Sequence, residues 1–254
     1  MLFGAKKRPQ QTAPAPMRTP NAEVISYIAD LRRAGAMMTV RQRDAASELV
    51  AMLGLESHHD PQKNWDTFKC LAHVLAATEP GARVLDAGSG SWAVVLRWLH
   101  ALGYRDLHAC DQTGLKKDIL SPLGIAFTQQ DLTATNYADA SFDAITSISV
   151  IEHNVPLERF LAEMRRILKP SGLLALSTDY WSDPVDCAGI YPYGEAAGQM
   201  KIFDARGIRD FATLAERSGF ALSAPLELET RERAVRWERV DREYTFFFMA
   251  LRKA

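Results

Sequence analysis

A glycine loop flanked by aspartates is where the types and spacing of this chain's residues best suit chemistry. The stretch VLDAGSGSWA, residues 84–93, sets Asp86 just before Gly88, Ser89 and Gly90, and from Gly88 it reads G-x-G-x-x-A. That spacing satisfies the dinucleotide fingerprint, in which glycines let the backbone turn sharply and approach a nucleotide without a Cβ in the way. A carboxylate at Asp86 would repel a pyrophosphate and suits a ligand that carries positive charge. Asp111, with Gln112 behind it, closes a strand-like run, where a carboxylate accepts hydrogen bonds from both hydroxyls of a ribose. Enzymes of NAD use the same device, so Asp111 supports a nucleoside without naming it. Asp131, in FTQQDLT, can accept from an adenine amino group while Leu132 packs on the ring.

Three further groups are candidates. Glu152 and His153 stand together in SVIEHN; His153 is either a general base, because imidazole titrates near neutral pH, or a packed helix-entry residue beside a capping Glu152. HHDPQKNWD holds His58, His59, Asp60 and Asp66; with no third ligand at a recognisable spacing it reads as a solvated loop, and its Lys63, Asn64 and Trp65 are placed to close over a donor ligand. The segment 178–204 is dense in Tyr180, Trp181, Tyr191 and Tyr193 and in acids. It is either an acceptor-binding loop suited to a polar group such as a sugar, or a loop using its aromatics as a small core of its own.

These residues need a scaffold, and the chain alternates. Strand-like runs at 83–87, 107–111, 126–129, 144–149 and 173–178 are separated by helical patterns that include 92–102 and 157–168. Strands joined by helical crossovers imply a parallel sheet with helices on both faces. A helix at 205–218 and two strands follow, the last being the apolar YTFFFMALR. Ahead of the sheet, helices are expected from Asn21, over 40–55 and over 65–77, and residues 21–62 read as a helical lid. Residues 1–20, with four prolines and Lys6-Lys7-Arg8, read as a flexible tail.

Asp86, the glycine loop, Asp111 and Asp131, with FDAITSISVIEHN (142–154) and RILKPSGLLALS (166–177), resemble the class I S-adenosylmethionine-dependent methyltransferases. The resemblance covers residues 63–254. It implies a Rossmann-like, doubly wound α/β fold with a mostly parallel seven-stranded sheet whose final pair is reversed. It also implies a donor site for S-adenosylmethionine that includes Ile148 at the end of the fourth strand. Some relatives place magnesium with Glu-x-x-Glu-His; here Ser149 replaces the first acid, so no metal is expected. Trp92 stands where the family often has a third glycine, and it is expected to pack.

The formal net charge of −1 lacks the footprint of a nucleic-acid binder. Cys70, Cys110 and Cys187 are odd in number and far apart, which fits a reducing cytoplasm, and no apolar run is long enough to span a bilayer. The reading is a cytoplasmic methyltransferase acting on a small polar or glycan-type acceptor. Its rivals are an NAD-dependent oxidoreductase and a non-catalytic S-adenosylmethionine-binding protein.

Overall fold

Val84–Ala87 (β1), buried on both faces, forms the centre of the sheet, with Leu107–Asp111 (β2) on one side and Phe142–Ile148 (β4) on the other, both parallel to it. Ala126–Gln129 (β3) lies outside β2, and Leu168–Tyr180 (β5) pairs in parallel with β4. Arg242–Lys253 (β8) then inserts antiparallel between β5 and Phe220–Leu222 (β6), giving the order β3-β2-β1-β4-β5-β8-β6. Val235–Trp237 (β7) pairs antiparallel with the beginning of β8 and makes the count eight where seven strands are expected. The structure, a computed structural model, describes residues 28–254 apart from 31, 34, 116–117 and 196–197; the tail and the start of the helix expected from Asn21 lie outside the described residues.

The helices follow their local signals. Val40–Leu53 (α1) starts from a Thr39–Gln42 capping box and stops at Gly54, which caps it in the left-handed region at φ 64°. Asn64–Ala77 (α2) continues from a 3₁₀ turn at Pro61–Lys63 that Asp60 caps. It is buried nearly all round between the sheet and α1, which explains its weak polar face. Trp65 is therefore a core residue and not a wall of the site: it points into the same cluster as Phe68 and Trp98. Val94–Ala101 (α3), Leu157–Ile167 (α4) and Ala205–Arg217 (α5) complete the layers.

β5 runs past the expected end at Thr178, because Asp179 and Tyr180 still pair with Phe246 and Thr245 of β8. Tyr180 is consequently buried, packed on Phe247 with its hydroxyl donating to the Leu228 carbonyl, and it is no substrate contact. Among the described residues no helix is long and apolar enough to cross a membrane.

Candidate functional site

The winding of the sheet reverses between β1 and β4, and an open α/β sheet opens its ligand crevice at the carboxyl ends of such strands. Asp86 stands there, 4% exposed, its Oδ1 accepting from Thr146 Oγ1 at 2.7 Å. Burial pushes its carboxyl up to about 7, with the Thr146 bond opposing. Beyond it the chain turns back on β2. The Gly88 and Ser89 amides both donate to the Cys110 carbonyl, at 2.8 and 3.1 Å. Gly88 has φ 82°, and a Cβ there would stand 2.4 Å from Val150 Cγ2, so both conformation and space require glycine. Gly90, with φ 57°, donates its amide to Asp111 Oδ2 at 2.9 Å, and nothing lies within 4 Å of where its Cβ would be. The loop thus leaves open room for a ligand against bare backbone.

Asp111 Oδ1 accepts from both the amide and the hydroxyl of Thr113 at 2.8 Å. Three of its roughly four acceptor positions are taken, so Asp111 braces the glycine loop and keeps one position open. Asp131 braces its own turn in the same way, with Oδ1 accepting from the Thr133 amide and hydroxyl; these bonds hold its carboxyl below the usual range. Leu132 beside it is buried, and the Gln112 carbonyl accepts from Gln129 Nε2.

A cavity of about 160 Å³ opens among these groups, and Lys63, Asp86, Gly88, Ser89, Gly90, Ile148, His153 and Tyr193 all reach it. Asp111 joins it through Gly90; Asp131, Leu132 and Gln112 stand further along the edge at β2 and β3. His58 and His59, expected in solvent, line the wall. The His58 Nδ1 accepts from the Asp60 amide at 3.0 Å, and burial holds its imidazole down at about 4, so it is neutral. Trp92 does not pack under the sheet: it is 43% exposed at the cavity, 5.9 Å from the His59 ring, because the left-handed Ala93 (φ 41°) starts α3 only at Val94. Trp181 is half-buried with the Arg233 guanidinium 4.2 Å from its ring centre, and Tyr191 is exposed away from the cavity. Of the aromatic segment only Tyr193 arrives, edge-on to His153 at 5.0 Å.

Behind Lys63 lies a set of buried polar groups that the sequence names in separate stretches, as Asp66, Ser149 and Glu152, but does not join with Ser177, Thr178 and Asp179 into one site. Lys63 Nζ donates to Ser149 Oγ and stands 4.1 Å from the Phe246 ring centre. Burial opposes its charge, and Asp66, Asp179 and Glu152 together keep its pKa above the ordinary value. Asp66 accepts from Ser177 Oγ at 2.9 Å and from the Thr67 amide, and burial raises its carboxyl to about 6. Glu152 Oε2 accepts from Thr178 Oγ1 at 3.0 Å, and burial raises both Glu152 and Asp179. Ser149, at the end of β4, holds φ 52°, a left-handed conformation that is uncommon outside glycine and clusters at functional sites. The available signal was the run Ser177-Thr178-Asp179, three polar residues closing an apolar strand at the sheet's carboxyl edge. Among the described residues no group of three His, Cys, Asp or Glu side chains is placed to hold a metal ion.

The buried acids give stability a definite pH slope. Asp86 and Asp66 have raised folded-state values, so the folded chain holds protons that the unfolded chain releases from about pH 4 upward. Their stabilisation is complete below the unfolded value and is lost as pH rises through about 6 to 7. His58 acts in the opposite sense only below its ordinary 6.5. The melting temperature is expected to fall between about pH 6.5 and 7.5, and Asp86→Asn to flatten that fall. A flat or rising wild-type curve across the window would contradict this.

Residues 85–176 match the methyltransferase domain family. That stretch, from β1 into β5, is a methyltransferase domain. The chain is 32% identical over 121 residues to sterol methyltransferase-like 1 of Botryococcus braunii, an alignment covering 42% of this chain and 30% of that protein. It is 34% identical over 107 residues to a protein of Mus musculus named "Probable tRNA methyltransferase 9B", covering 40% and 23%. The chain thus spans less than a third of the length of these curated relatives. Among solved structures, the 1,6-didemethyltoxoflavin-N1-methyltransferase of Burkholderia thailandensis, holding 1,6-didemethyltoxoflavin and S-adenosylhomocysteine, superposes with a TM-score of 0.55 over 98% of each chain at 20% identity, which shows the shared fold.

Proposed function

We propose that the chain transfers a methyl group from S-adenosylmethionine to a small polar acceptor. The observation that carries this reading is a pair of adjoining cavities at the switch point, with Lys63, His153 and Tyr193 in the walls of both. The first cavity fits a donor: Gly90 leaves room, Asp86 offers a buried carboxylate to a cation, and Asp111 and Asp131 mark the nucleoside edge. The second, of about 190 Å³, fits an acceptor. The donor supplies an activated methyl group on a positively charged sulfur. The protein's part is alignment, for which in-line displacement depends on holding both reactants in near-attack geometry. Glu152 and His153 then border the acceptor side, and the neutral imidazole of His153, lowered by burial, can take a proton.

A sugar or glycan acceptor rested on a platform of four aromatics. With Tyr180 buried and Trp181 and Tyr191 elsewhere, Tyr193 alone serves it. Residues 54–63 carry His58, His59 and Lys63 to the cavities, which supports reading the described part of the N-terminal extension as a cover for the donor. The acidic crevice and the family match both favour a methyl donor over NAD. Calorimetry and thermal shift test the choice. S-adenosylhomocysteine is expected to bind and raise the melting temperature, and NAD to do neither; the reverse result would overturn the reading.

A further inference from the structure

We infer that the acceptor is an amine, held by its ammonium group between Glu152 and Asp179 in the cavity behind Lys63. This deepens the methyl-transfer reading and rests on it. Both carboxylates line that cavity, and they are 1% and 4% exposed. Each uses one oxygen within the protein: Glu152 Oε2 accepts from Thr178, and Asp179 bonds with the Tyr244 hydroxyl. The other two, Glu152 Oε1 and Asp179 Oδ1, are buried without a hydrogen-bond partner among the described residues. Buried carboxylate oxygens left unmet are costly, and a native fold keeps them only where something else supplies the donors.

The chemistry of the missing partner follows from three features. It must donate at least two hydrogen bonds, which a single hydroxyl cannot do with its one proton and an ammonium can do with three. It should be positive, because Lys63 is one cation against Asp66, Glu152 and Asp179, and its Nζ is already engaged with Ser149. It should tolerate aromatic neighbours, since Trp237, Tyr244 and Tyr193 form much of the wall and ring faces attract ammonium groups. An anionic acceptor fails all three. The cavity is smaller than the usual range of about 300–1,000 Å³ for ligand pockets, so it suits the reacting end of an acceptor whose remainder projects outward.

The same pair of acids solves the proton problem of amine methylation. An ammonium has no lone pair, so one proton must leave before reaction. Glu152 or Asp179, each raised by burial, takes that proton and becomes neutral. The freed nitrogen lone pair forms the new N–C bond as the C–S bond breaks, and the bonding pair of that bond stays on sulfur, cancelling its positive charge. The product is a methylated ammonium, and the carboxyl returns its proton to solvent when the product leaves.

The test compares 2-phenylethylamine with 2-phenylethanol, which differ only in the polar group, by calorimetry on the ligand-free and the S-adenosylhomocysteine-saturated protein. The amine is expected to bind at least about tenfold more tightly, with labelled methyl appearing on the amine and not on the alcohol. Asp179→Asn and Glu152→Gln are each expected to erase that preference while S-adenosylhomocysteine affinity stays within about twofold, since neither side chain lines the donor cavity. Equal binding of amine and alcohol to the wild type overturns the inference, whether or not either variant folds. A preference surviving both substitutions overturns it too. Failure of S-adenosylhomocysteine to bind would defeat the methyl-transfer reading instead, and the ligand-free titration still decides what the cavity holds.

Discussion

Tyr180→Ala is expected to lower the unfolding free energy by about 3–5 kcal/mol while leaving affinity for S-adenosylhomocysteine within about twofold. The ring lies wholly inside the fold, 5.6 Å from the Phe247 ring centre, and its hydroxyl donates to the Leu228 carbonyl. Truncation removes the aromatic contacts, leaves a cavity and takes the shorter of two hydrogen bonds from the Leu228 carbonyl, which keeps Ser182 Oγ at 3.5 Å, three losses that act in one direction. Tyr180→Phe isolates the last of these and should cost about 1 kcal/mol. Denaturant unfolding beside calorimetry separates stability from binding. A variant that folds normally but binds donor product poorly would return Tyr180 to the site.

Asp111→Ala is expected to weaken S-adenosylhomocysteine binding about a hundredfold, equivalent to about 2–3 kcal/mol. The loss has two parts. One is the carboxylate position still open to a ribose hydroxyl. The other is the brace on the glycine loop, since Oδ2 holds the Gly90 amide and Oδ1 holds Thr113. Asp111→Asn, which keeps one carbonyl oxygen for Gly90, should lose less. Unchanged affinity in a folded Asp111→Ala protein would remove Asp111 from the donor site.

The sheet was legible because its signals are local. The runs 107–111 and 126–129 are observed as strands with those bounds, and G-x-G behind Asp86 marks the turn after β1 by the conformations that only glycine adopts freely. Burial set by distant partners was not legible. Trp65 and Lys63 are near neighbours in sequence at the start of α2, yet successive helical positions face different ways, so one enters the core and the other the cavity wall. Tyr180 lies in a segment that looks like a loop until β8 is laid against it. The second cavity was hardest to foresee, because it joins Glu152 after β4, Asp179 on β5 and Tyr244 on β8, three places that no periodicity links.

β8 has a consequence for how the molecule is made. It fills the slot between β5 and β6, and among the described residues β6 pairs with no other strand. During translation the ribosome must add the roughly 60 residues from Tyr180 to Arg242 before that slot can begin to close, a delay of about 3–12 s at ordinary elongation rates. Until then the nascent chain carries a 13-residue strand, β5, with the apolar run Leu173–Leu176 at its middle and one edge bare, the kind of template on which chains aggregate. A chaperone that shields β5 during those seconds would keep its bare edge from pairing with another chain.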